Sequence, residues 1–125
     1  MEKIKSVEEL EVFKRSHRIA IEIYKVTERF PQNERLSLIA QMRRAAASIA
    51  ANLMEGSHRL HRKEFRQFTG ISRGSVGELK YHLLLAKDLG YLSADQYQRL
   101  REETEEISKM LNGLIKSLSA SGIKR

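Results

Sequence analysis

Gln41-Met42-Arg43-Arg44-Ala45-Ala46-Ala47-Ser48-Ile49-Ala50-Ala51-Asn52-Leu53-Met54-Glu55-Gly56 is the stretch whose reading decides the fold. Its alanines are the strongest helix formers, and they let a neighbouring backbone come close. Met42, Ala46, Ile49 and Leu53 follow at steps of four, three and four, the spacing of one apolar helix face. Arg44, Ser48, Asn52 and Glu55 follow at steps of four, four and three, which sets a charged and amide row beside that face. Gly56-Ser57 then breaks the pattern.

Outward from this helix the same period recurs three times. Upstream, Leu10, Phe13, His17, Ala20 and Tyr24 form one stripe, and Ile19, Ile23, Val26 and Phe30 form another. Pro31 closes that segment, because proline disfavours helix in the residue before it. Asn33 is expected to cap the central helix, with Glu34 as a first-turn acid and Leu36 and Ile39 extending its apolar stripe. Downstream, Phe65, Phe68, Ser72, Val76, Leu79, Leu83 and Ala86 mark a third helix, and Leu100, Ile107, Leu111, Leu114 and Leu118 a fourth. Gly90 reads as the residue just past a helix end, and Ser93 to Gln96 as a capping box. Strand-like alternation is missing. The expectation is an all-α domain over residues 1–125, an antiparallel up-down-up-down four-helix bundle with helices at roughly 7–30, 33–56, 60–89 and 94–118. Residues 119–125 read as a short frayed tail.

The third helix carries an oddity, Ser72-Arg73-Gly74-Ser75-Val76-Gly77-Glu78. Two glycines inside a helix cost about 1 kcal/mol each relative to alanine, and close packing against another helix is the usual offset. If the second and third helices form a hairpin turning near Ser57, Arg44 comes opposite Gly74 to Glu78. An ion pair between Arg44 (or Arg43) and Glu78 follows, in one polar network with Ser48, Asn52, Glu55 and Ser75. A solvated arginine and a solvated glutamate are the alternative. The second stripe of the first helix and Leu84-Leu85 beside Leu83 are wider than one core requires, and point to burial against another subunit or to a broad intramolecular face.

The segments Gln41–Gly56, Phe65–Glu78 (FRQFTGISRGSVGE) and Gly90-Tyr91, with Tyr24, Thr27, Phe30 and Pro31 at the first helix end, resemble the four-helix bundle family of 23S ribosomal RNA intervening-sequence proteins. Leu53-Met54 stand where that pattern has Ile-Ala, and Ser72 where it has Ala; both swaps conserve packing. The resemblance implies a homopentameric barrel of four-helix protomers with a basic surface. It also implies kinship with the accessory variability determinant of diversity-generating retroelements, which binds a reverse transcriptase and nucleic acid. It leaves the biochemical function open.

Composition narrows the function classes. The chain has 125 residues, of which 41% are apolar and 31% charged, with no cysteine. Disulfides, thiolate zinc sites and cysteine nucleophiles are thereby excluded. No apolar run approaches the roughly 18 residues of a membrane span, and the first ten residues do not read as a secretory signal. A cytoplasmic protein without membrane contact is expected. Glu55-Gly56-Ser57-His58 is the one Glu-x-x-His spacing, and a di-metal bundle needs two plus further glutamates. Gly70, Gly74 and Gly77 fit no phosphate-loop spacing, and Ser48, Ser72 and Ser75 have no histidine positioned to activate them. Neither metal nor cofactor is implied, and no enzyme is expected.

Charge points elsewhere. Lysine and arginine total 23 against 16 acids, a net +7. From Ser57 to Arg73 the five cations Arg59, Arg62, Lys63, Arg66 and Arg73 meet one acid, Glu64, so this stretch carries +4 of that +7. Cations at a helix start oppose the helix dipole, which favours a functional reason over a merely solvated face. Arginines there can hold phosphates of RNA or DNA with salt-dependent, mostly sequence-blind affinity. Phe65 and Phe68 belong to the apolar stripe, so base stacking is not expected to lead. A nucleic-acid-binding oligomer and a protein-binding adaptor, whose partner is a reverse transcriptase or another protein, are the two open readings.

Overall fold

Each of the four periodic stretches is helical. The computed structural model describes residues 6–123, with side chains described through residue 119. Residues 1–5 and 124–125 of the expected domain lie outside the described residues. Helix α1 spans Glu11–Thr27, α2 Leu38–Ser57, α3 Arg62–Asp88 and α4 Ala94–Ile123, and single 3-10 turns occupy Val7–Glu9 and Gln32–Glu34.

Contacting pairs run in opposite directions along neighbouring helices, which makes the bundle up-down-up-down. Between α2 and α3, Ser48 bonds Ser75, the Ser72 hydroxyl donates to the Ile49 carbonyl at 2.8 Å, and Gly56 abuts Phe68. Between α3 and α4, Lys80 pairs with Glu105 at 2.8 Å while Lys87 lies 4.6 Å over the Tyr97 ring. Between α1 and α4, Arg15 pairs with Glu103 and Glu22 with Arg99.

The core fills as the stripes dictate, with Ile23, Met42, Ile49, Leu53, Leu79, Leu83, Leu100 and Leu111 fully buried. It also takes hydroxyl residues that an apolar count passes over: Ser16, Thr27, Thr69 and Thr104. Each donates to a carbonyl of its own helix at 2.7 to 2.8 Å. Such a bond removes the cost of an unpaired buried hydroxyl, so these side chains pack as if apolar. In α1 the buried row is Val12, Ser16, Ile19, Ile23 and Thr27. The stripe through Phe13, His17 and Tyr24 stays at the rim, with Tyr24 48% exposed.

Helix ends differ from the expected bounds where distant contacts intervene. Helix α2 begins at Leu38 rather than at 33, and Asn33 sits inside the 3-10 turn instead of capping. The cause is Glu34, whose carboxylate accepts from the Ser37 hydroxyl at 2.7 Å and from the Tyr91 hydroxyl at 2.8 Å. These two donors hold the Glu34 carboxyl below the usual carboxylate range. Pinned this way, the connector cannot wind, and Leu36 is left outside the helix and 86% exposed. At the other end of α3, Gly90 takes φ +84°. The amides of Gly90 and Tyr91 donate to Lys87 and Ala86, the paired bonds of a Schellman cap. Ser93 and Gln96 exchange bonds at 2.9 and 3.1 Å as a capping box. Helix α4 continues to Ile123, past the frayed tail expected from residue 119.

Candidate nucleic-acid interface

The basic segment lies at the end of the bundle where α2 hands over to α3. His58 closes α2, and α3 opens at Arg62 behind His61, which makes no side-chain capping bond. Gly56 permits this tight return. A Cβ there would lie 2.7 Å from Phe68 Cβ and 3.0 Å from Phe65 Cδ1, so only glycine lets α3 come so near.

Arg59, Arg62, Lys63, Arg66 and Arg73 are all exposed. Arg59 is anchored, with a guanidinium bond to Glu55 at 3.1 Å and its Cζ 4.7 Å over the Phe68 ring. Among the described residues, Lys63, Arg66 and Arg73 are in no ion pair. Arg62, Arg66 and Arg73 are four and seven residues apart, which keeps them on one side of α3 at 3.6 residues per turn. Gly70, Gly74 and Gly77 lie among them on the same exposed surface, with Arg73 and Lys80 beside them. A Cβ at any of the three glycines would meet nothing within 4 Å. The expected packing of Gly74 and Gly77 against another helix is therefore not made within the chain, because α3 turns Ser72, Val76 and Leu79 inward instead.

The polar network divides. Ser48 and Ser75 bond each other, and Asn52 Nδ2 donates to the Ser48 carbonyl at 2.8 Å. Glu55 turns to Arg59. Arg43 reaches α1, where Nε donates to Thr27 Oγ1 at 2.9 Å and Nη2 to the Tyr24 carbonyl at 3.1 Å. The expected ion pair of Arg44 or Arg43 with Glu78 is not formed within the chain. Arg44 and Glu78 are both exposed, and the charge of each acts on His82. Water solvates each more cheaply than a dry contact would.

Beside the basic segment opens a cavity of about 640 Å³, lined by Val7, Leu10, Phe65, Leu114 and Leu118, with His58 and Arg62 among its polar residues. Phe65 and Phe68 of the apolar stripe are only half-buried. Nothing in the periodicity distinguishes a stripe residue at a bundle end from one in the middle. Among the described residues no cluster of three His, Cys, Asp or Glu could hold a metal ion. No helix among them is long and apolar enough to cross a membrane.

A family model described as 23S rRNA-intervening sequence protein matches residues 8–113. A solved structure from Bacteroides thetaiotaomicron, described as a protein of unknown function from the S23 ribosomal protein family, superposes with a TM-score of 0.76 at 27% identity, covering 84% of this chain and 98% of that one. No curated protein matches.

Proposed function

We infer the role of this chain from its family and its surface together: it belongs to the 23S rRNA-intervening sequence proteins, and its strongest surface feature is cationic. We propose a non-enzymatic, self-assembling bundle that binds the phosphate backbone of RNA or DNA through Arg59, Arg62, Lys63, Arg66 and Arg73. The observation that carries this is the run of exposed cations along one side of α3, with Lys63, Arg66 and Arg73 in no ion pair among the described residues. Exposed glycines between them leave room for a polymer backbone to lie close. Several such rows on one assembled frame engage a long polyanion with avidity above any single row.

Binding should weaken steeply with salt, with a log–log slope of about −0.7 per phosphate contacted on a single strand and −0.9 on duplex DNA. Replacing Arg59, Arg62, Lys63 and Arg66 together by glutamine should abolish binding and leave helix content unchanged, since none lies in the core. A quadruple variant that binds RNA like the parent at equal salt refutes the assignment. A second reading, a protein-binding adaptor, is favoured by the exposed apolar side chains Ile71, Tyr81 and Leu84 on α3; a parent that binds no RNA at low salt selects it.

A further inference from the structure

We propose that the cavity at the foot of the basic segment seats one unstacked base of a single-stranded nucleic acid whose phosphates lie along α3, an inference that rests on the nucleic-acid reading above. The cavity forms where Ser6, Val7 and Leu10, the end of α2, the start of α3 and the end of α4 meet. Its volume, about 640 Å³, falls within the roughly 300–1,000 Å³ of small-ligand pockets. Val7 and Leu118 make a buried apolar floor, while Leu10, Phe65 and Leu114 are half-buried and reach the opening. Ser6, Ser57, His58, Arg62 and Ser117 supply the polar part of the lining, and no carboxylate contributes to it among the described residues.

An apolar floor with a cationic lip matches one chemical object well, a flat ring tethered to a phosphate. Arg62 belongs both to the lip and to the α3 row. From it, Arg66 and Arg73 follow about 6 and then about 10 Å further along the helix. A strand on that row thus brings a base to the cavity mouth. Phe65 offers the ring on which it stacks, and the close approach of Gly56 holds that ring in place. A pre-positioned aromatic loses little freedom on binding. Duplexes keep their bases stacked and paired and have none to offer without unstacking, so the cavity selects single strands.

The test compares three probes at one salt concentration by fluorescence anisotropy: a short single-stranded RNA, the same strand in a duplex, and an abasic strand of equal length and charge. The intact single strand should bind about ten-fold more tightly than the abasic one, the worth of one stacked base. Ser117→Trp places an indole at the mouth from an exposed position without altering charge, and should erase that difference while leaving duplex binding unchanged. Phe65→Leu keeps an apolar wall without a ring and should act in the same direction. Equal binding of intact and abasic strands by the parent overturns the base pocket and leaves the cationic row standing. Absence of binding by all three probes overturns the nucleic-acid reading itself. If Ser117→Trp shifts the melting temperature but none of the binding curves, the cavity serves the chain's own packing and the inference falls.

Discussion

Arg43 and Arg44 are consecutive in sequence yet do unrelated things, because a helix turns about 100° per residue. Arg43 is half-buried, donates to Thr27 and to the Tyr24 carbonyl, and stacks 4.6 Å over the Tyr24 ring. It donates to a carbonyl in the last turn of α1 that also accepts from the Thr27 hydroxyl at 3.2 Å. Hydrogen bonds to charged groups contribute about 1.5–3 kcal/mol, reduced here by partial exposure. Arg43→Ala should therefore lower stability by about 1–2 kcal/mol in urea titration, whereas Arg44→Ala and Glu78→Gln should stay within about 0.5 kcal/mol as surface changes do. A large effect of Glu78→Gln would restore the ion pair, across an interface between chains. His82 makes a second residue-scale prediction. It is 8% exposed, and its Nδ1 has no partner among the described residues. Burial pushes its pKa below the ordinary 6.5, opposed by the charge of Glu78 and reinforced by that of Arg44. The unfolded chain then takes up this proton more readily than the folded one. Stability should be complete above about pH 6.5 and fall as pH drops from there toward the lower folded value. Melting scans between about pH 8 and pH 5 should show this limb in the parent and lose it in His82→Leu. An equal decline in both would overturn the assignment of this limb to His82. Glu34 and Glu105, held below the ordinary carboxylate value of 4.5, contribute only at lower pH.

At the scale of elements, glycine means opposite things on facing helices. Gly56 of α2 is buried against Phe65 and Phe68, and an added methyl must displace Phe68 at its Cβ, close to the backbone. Overpacking of this kind costs about 1–3 kcal/mol, offset by the ~1 kcal/mol that alanine gains in helix propensity. Gly56→Ala should destabilise by up to about 2 kcal/mol. Gly77 of α3 meets nothing, so Gly77→Ala should stabilise the chain by up to about 1 kcal/mol. Paired urea titrations with opposite signs would confirm this sorting, and two shifts of the same sign would contradict it. Both glycines stand out in the sequence, but only the bundle says which has a neighbour. The cap at Gly90 and the box at Ser93 were readable because they close within a few residues. The start of α2 was not, because it is set by a bond from Tyr91, 57 residues from Glu34.

For the whole molecule, one bundle does not cover everything apolar that its helices present. Ile21 and Tyr24 on α1 and Ile71, Tyr81 and Leu84 on α3 remain exposed. Burying such surface against another copy would yield roughly 25 cal/mol per Å², the driving force for the assembly proposed above. The expected outcome in light scattering is a closed particle of about five times the 14.4 kDa chain mass, stable on dilution. A 14.4 kDa particle at micromolar concentration would remove the assembled frame from the proposed function and leave a single cationic row.

The spacing of apolar side chains determined the four helices and their order, since a period near 3.6 and short breaks admit one simple packing. The distribution of charge along the chain located the cationic segment, from Ser57 to Arg73. Only the tertiary structure decided the rest: which stripe of α1 is core, that Arg43 rather than Arg44 is held, that the α3 glycines face outward, and that Phe65 borders a cavity. Each depends on what lies across from a residue on another helix. Periodicity along one helix carries no record of its neighbour's rotation about its own axis.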